Sequence, residues 1–236
     1  MKRNIRMGIL AASLIGGAAR AEESAAWSGT ITAGYDTRYV LYGYRYARHL
    51  YHADTYLSRA ATESVSLWGG GWYGCFSDGT YRELDLYGGA DWTPRERWTL
   101  GLGYSLFNYF DAPFTEDDEG HEFTAYAIHT TGPFTLTLRD HYDLTAEGHL
   151  ARAILAWTRE WPARWTLDAE AEYGHAFHYY VEEDGPHHGQ FKLSLSRPIT
   201  ETVSATAFVA RTLALDALDE FERDDTFGGV SVTRSF

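Results

Sequence analysis

The chain has 236 residues and carries 20 Lys and Arg against 33 Asp and Glu, a formal charge of −13. That acidity excludes nucleic acid as a partner, because phosphate neutralisation needs a basic face. A content of 44% hydrophobic and 16% aromatic residues excludes a disordered chain, a mean hydropathy of −0.36 excludes a helical membrane bundle, and a single cysteine excludes a disulfide framework.

The amino terminus reads as a leader. Lys2, Arg3 and Arg6 precede the uncharged, mostly apolar stretch Met7–Ala19, and Ala19-Arg20-Ala21 offers small residues at a cleavage site. This three-part pattern predicts a secretory signal peptide over 1–21 and an exported mature chain. Without that segment the charge balance is 16 against 33, or −17, and Lys192 is the one lysine left.

From there the period is two. Trp98, Leu100, Leu102, Tyr104 and Leu106 alternate with Thr99, Gly101, Gly103 and Ser105. Trp165, Leu167, Ala169, Ala171 and Tyr173 alternate with Thr166, Asp168, Glu170 and Glu172. Successive strand side chains point to opposite faces, so each segment has one apolar and one polar or small face. Strands are predicted at 26–43, 48–60, 64–76, 80–92, 97–110, 121–130, 134–144, 149–159, 164–176, 188–197, 201–212 and 226–236. The weakest alternation is at 48–60 and 64–76, where Gly69, Gly70 and Gly71 interrupt it. All six prolines are expected between strands, since a proline cannot donate to a ladder.

Counted from the first strand, the even-numbered connections are short, around Thr62, Pro94, Gly132, Pro162 and Pro198. The long ones, 111–120, 177–187 and 213–225, are all odd-numbered and strongly acidic. Short turns at one rim and long loops at the other predict an outer-membrane β-barrel: a single all-β domain over 22–236, antiparallel, with about twelve strands and short periplasmic turns. Trp27, Trp92, Trp98, Phe134, Trp161, Trp165 and Phe236 fall at strand ends beside the short-turn rim; Tyr39, Tyr42, Tyr44, Tyr46, Tyr51, Tyr109 and Phe110 fall towards the other. They are expected to form the two aromatic belts of a membrane barrel. The terminal strand ending in Phe236 resembles the sorting and assembly signal of such barrels.

Apolar outward faces fix the inward ones. This parity puts Asp36, Arg38, Glu83, Asp85, Asp91, Arg139, Arg152, Asp168, Glu170 and Glu172 on the lumen side as candidate pore-lining residues. The lumen is mixed in charge with an acidic surplus, which favours cations, while Arg38, Arg139 and Arg152 oppose them. Twelve strands stand between filled eight-stranded barrels and open porins, and favour a narrow pore over a sealed salt-bridge network.

The order of segments resembles the TorF-like outer-membrane porins. The carrying residues are Gly34-Tyr-Asp-Thr-Arg-Tyr-Val-Leu-Tyr-Gly43, Gly71-Trp-Tyr-Gly74, Glu83-Leu-Asp-Leu-Tyr-Gly-Gly89 and Gly101-Leu-Gly-Tyr-Ser-Leu-Phe-Asn-Tyr-Phe-Asp-Ala-Pro113. The resemblance covers about the first half of the mature chain and implies an outer-membrane location and a channel role.

Catalysis reads weaker. His141 with Asp143 on one inward face, and Ser105 inward on a nearby strand, form the one serine–histidine candidate, and nothing resembles the histidine–serine motif of outer-membrane phospholipases. No catalytic residue, metal ligand or cofactor is assigned. His49/His52 and His175/His178 are spaced so that a strand splits each pair between its faces. His187 and His188, beside Glu182, Glu183 and Asp184, read as part of a solvated loop. Cys75 reads as a small residue near the outer rim. The expected function is a porin-like channel for passive diffusion of small solutes or ions. The alternatives are a structural or partner-binding barrel, or a barrel lipid hydrolase. The expected partners are outer-membrane lipid and lipopolysaccharide, the barrel-assembly machinery and the solutes themselves.

Overall fold

A computed structural model describes residues 27–77, 81–112, 118–218 and 222–236. The expected leader over 1–21 lies outside these residues, as do Glu116, Asp117, Asp219 and Glu220 of the acidic loops.

The described residues form twelve strands: β1 (Ser28–Leu41), β2 (Tyr44–Ala60), β3 (Val65–Phe76), β4 (Arg82–Arg95), β5 (Trp98–Phe110), β6 (Glu119–Thr131), β7 (Phe134–Asp143), β8 (Gly148–Trp161), β9 (Trp165–Phe177), β10 (Gly185–Pro198), β11 (Val203–Ala214) and β12 (Asp225–Ser235). Each pairs antiparallel with its neighbour in sequence, and β1 closes on β12 from Thr30↔Ser235 to Asp36↔Gly229. Closure leaves no strand edge unpaired, which is how an all-β chain satisfies its backbone without a covering layer.

The short-turn rim carries the connections 61–64, 96–97, 132–133, 162–164 and 199–202, and the opposite rim carries 42–43, 77–81, 111–118, 144–147, 178–184 and 215–224. The first of the latter is tighter than the sequence suggests. Tyr42 and Gly43 both adopt positive φ, 52° and 88°, the two-residue hairpin geometry whose twist matches the flanking strands.

The glycine-broken segment is a full strand. Gly70 faces inward, and a side chain there would meet the Tyr87 hydroxyl 2.7 Å away. Gly70 and Gly74 thus make room for the rings of Tyr87 and Trp72, and so blur the alternation.

Two expectations are corrected here. Prolines do enter strands: Pro94 and Pro186 sit at register shifts in β4 and β10, and Pro198 ends β10, where the ladder needs no N–H from them. The upper aromatics also divide differently. Tyr51 and Phe110 are exposed on the outside, but Tyr39 is buried against Tyr46, Trp72 and Phe76, and Tyr42 turns into the lumen. The bulge at Tyr39/Val40 shifts the parity of β1 just below its tip. The outer aromatics at that rim are instead Tyr51, Tyr73, Tyr104, Phe110, Phe123, Tyr173 and Phe177. Near the short-turn rim Trp27, Trp92, Trp98, Phe134, Trp161 and Phe236 are exposed, as expected of that belt.

Candidate functional site: the barrel lumen

Strand parity carries the polar faces inward, and the lumen they enclose is divided into a filled part and an open part. On the side of β6 to β10 a chain of buried groups runs from strand to strand. His141 Nδ1 donates to Glu122 Oε1 at 2.7 Å, and its Nε2 accepts from Arg152 Nη1 at 3.2 Å. Arg152 grips Glu172 with two bonds, Nε to Oε1 at 2.6 Å and Nη2 to Oε2 at 2.7 Å. His188 Nε2 donates to Glu172 Oε1 at 2.8 Å, and His187 Nδ1 lies 2.9 Å from His188 Nδ1. The tautomers follow from the network, each nitrogen taking the role its partner leaves. The Arg152 and Glu172 side chains are only 4% and 3% exposed. A buried pair of this kind holds because both charges are satisfied on several sides.

Two aromatic residues from the long-loop rim close over this chain. Tyr42, at the β1–β2 tip, donates to Glu122 Oε1 at 3.3 Å, and the Arg152 guanidinium lies 4.7 Å from its ring centre. Tyr42 thereby reaches from the first hairpin to the far wall of the barrel. Tyr179, from the β9–β10 loop, donates to Glu122 Oε2 at 3.1 Å. Burial holds both phenols well above their usual pKa, with Glu122 adding to the effect, so both stay donors. Gly43 packs under His188 and Leu218, the latter fully buried in the β11–β12 loop.

On the opposite side the groups are acidic. Glu83 accepts from Tyr39 at 3.0 Å and Tyr81 at 3.4 Å, and Asp54 accepts from Tyr87 at 2.7 Å. Towards the short-turn rim Asp91 accepts from Trp68 Nε1 at 3.2 Å and from the Tyr126 hydroxyl. Between these groups lies a cavity of about 310 Å³. Its titratable lining is Asp36, His52, Asp54, Asp85 and Glu122 on β1, β2, β4 and β6, with Arg38 beside them, and Arg139, His141 and Lys192 on β7 and β10. Asp36 Oδ1 and Asp85 Oδ1 are buried with no hydrogen-bond partner.

Of the ten candidate residues, Asp36, Arg38, Asp85 and Arg139 border this cavity. Glu83, Asp91, Arg152 and Glu172 are buried in the side-chain networks, and Arg38 also bonds Asp225 at 3.2 Å. Asp168 bonds Thr158 near the short-turn rim at 2.6 Å, and Glu170 pairs in register with Lys192.

The sequence reading missed Glu122, Asp54, Lys192 and the insertion of Tyr42. The first three had a signal. Lys192 shares parity with Gln190, Ser194 and Ser196, against Phe191, Leu193 and Leu195. Tyr42 had none, because a turn residue has no parity. The solvated-loop reading of His187 and His188 is corrected: they are 0% and 1% exposed, drawn in by Glu172 and covered by neighbouring loops. His141 pairs with Glu122 rather than Asp143, which instead accepts from Tyr180 at 2.8 Å. Both His141 ring nitrogens are occupied, so neither is left to activate Ser105.

No family model matches this chain, and no curated protein sequence matches it. Solved structures do. It is similar to the KdgM porin, with 12% identity over 88% of this chain and 99% of that one and a TM-score of 0.57. It is similar to an outer-membrane channel from Pseudomonas putida F1, with 10% identity over 92% and 99% and a TM-score of 0.54. It is also similar to the NanC porin, with 10% identity over 88% and 100% and a TM-score of 0.54. The fold is therefore that of outer-membrane β-barrels.

Proposed function

We propose that the protein is an outer-membrane channel for the passive diffusion of small polar solutes or ions, with a preference for cations. The observation that carries this reading is the cavity of about 310 Å³ inside a closed barrel, bordered by Asp36, Asp54 and Asp85, within a wall whose outer surface is apolar and belted by aromatics. Carboxylates around a narrow aqueous space lower the energy of a passing cation, and Arg38 and Arg139 moderate that preference. The Arg152–Glu172 pair and its histidine partners keep the far wall rigid, so the path runs beside them rather than through them. The TorF-like resemblance of the first half agrees with this reading.

The same proposal includes export by the leader over 1–21, outer-membrane lipid and lipopolysaccharide against the exposed band, and recognition of the Phe236 strand by the assembly machinery. Purified barrel in planar bilayers is expected to give stepwise conductance with a reversal potential on the cation side in a salt gradient. Absence of steps rejects the channel and leaves a structural or partner-binding barrel, and an anion-side potential rejects the selectivity.

A further inference from the structure

The two rims treat their outward arginines differently. At the long-loop rim Arg82 is paired with Asp111 at 3.4 Å and Arg211 with Asp224 at 2.9 Å. At the short-turn rim Arg59, Arg159, Arg197 and Arg234 are all exposed and share the parity of the apolar outer face. Arg159 continues the row of Leu155, Arg197 that of Leu193 and Leu195, and Arg234 that of Val230 and Val232. Among the described residues none of these four side chains forms an ion pair or a hydrogen bond. Their cross-strand neighbours give the reason. Arg59 stands opposite Leu67, Arg159 opposite Leu167, Arg197 opposite Ala205, and Arg234 between Val203 and Ile31. The glutamates of this rim do not reach them: Glu63, Glu96 and Glu201 lie in the turns, and Glu160 has the inward parity of β8. Arg197 is braced instead on an aromatic face, its guanidinium 5.2 Å from the centre of the Trp165 ring.

We propose that the short-turn rim is a docking surface for the phosphates of anionic phospholipids, centred on Arg159 and Arg197. An arginine at the edge of an apolar band lays its stem along that band and holds its charged head at the level of the lipid headgroups. Its planar fork meets two phosphate oxygens at once. One strand separates Arg159 from Arg197, since Leu167 of β9 is in register with both Arg159 and Leu195. At the usual strand spacing that is roughly 10 Å across the sheet, within reach of one headgroup from both sides. The exposed Leu155, Leu193 and Leu195 continue the same face and receive the acyl chains. A zwitterionic headgroup carries an ammonium that already neutralises its phosphate. An anionic headgroup brings the phosphate without one, and so matches guanidinium groups that lack a carboxylate. The inference rests on the barrel spanning a bilayer and not on its conducting.

Lipid selectivity in vesicles tests this. Folded barrel in phosphatidylcholine vesicles is given a trace of spin-labelled phosphatidylglycerol or of spin-labelled phosphatidylcholine, and the fraction of label immobilised by protein is read by electron spin resonance. The barrel is expected to favour the phosphatidylglycerol label about fivefold, the factor that one arginine near an anionic lipid surface supplies. Added salt is expected to lower that preference, because the groups are exposed. Arg159→Gln with Arg197→Gln is expected to remove most of it, and Arg59→Gln with Arg234→Gln in addition to remove the remainder. Arg82→Gln with Arg211→Gln, at the rim where the arginines are paired, is expected to leave it in place. Heat-dependent gel migration shows that each variant is folded. Equal immobilisation of the two labels, or a preference that survives in the folded variant lacking all four arginines, overturns the inference. So does a preference lost only in the variant of Arg82 and Arg211. Current steps from the same preparations report on the channel separately, so either reading can fail while the other stands.

Discussion

At the scale of single residues, the lumen shows which charges are structural and which are available. Arg152 is engaged by Glu172 on two atoms, by His141 and by the Tyr42 ring. Arg152→Met leaves Glu172 buried with only His188 to meet it, and is expected to cost about 3–5 kcal/mol, read as a lower urea midpoint for unfolding in detergent. Tyr42→Ala removes the ring that crosses the lumen and its bond to Glu122. It is expected to raise single-channel conductance, and an unchanged conductance would remove Tyr42 from the solute path. Parity made Asp36 and Asp85 legible as inward, since their neighbours on both sides are apolar or small. That Glu172 is held by Arg152 of β8 and Asp91 by Tyr126 of β6 was not legible, because it depends on what other strands present.

At the scale of elements, the β1–β2 hairpin does more than join two strands. Its tip lies against Leu218 and His188 and sends Tyr42 across the lumen. Gly43 has φ +88°, and a side chain there would stand 2.8 Å from both Leu218 Cδ2 and His188 Cβ. Gly43→Val adds backbone strain of about 1–3 kcal/mol to that clash, and is expected to lower the unfolding midpoint and loosen the outer mouth, read as noisier current. The same substitution at Gly132, with φ +56° and nothing within 4 Å, carries the strain without the clash and is expected to leave the current steady. Strand limits were legible to within a few residues, because alternation is a local property. The β2 start and the tight first turn were not, since they follow from hairpin geometry and from loops that pack down on it.

At the scale of the whole molecule, one surface is built for hydrocarbon and its opposite for water. Leu102 is 68% exposed between the two aromatic belts. Leu102→Arg is expected to destabilise the barrel by about 2–4 kcal/mol in lipid if it sits at the bilayer midplane, measured by reversible unfolding in liposomes. A cost near zero there would argue against a membrane-facing surface. Charge follows the same division. Glu83, Asp91, Arg139, Arg152, Glu172 and Lys192 are all buried inside.

The sequence by itself determined the strands, their number, the direction each face points and the rim at which the long loops gather. All of these follow from a two-residue period and from turn chemistry, which are encoded locally. Only the tertiary structure decided which lumen charges neutralise one another, that the first hairpin enters the bore, and which side chains border the space that remains. Those outcomes depend on barrel closure, which brings residues far apart in the chain to within a few ångströms, and no local pattern specifies how such residues meet.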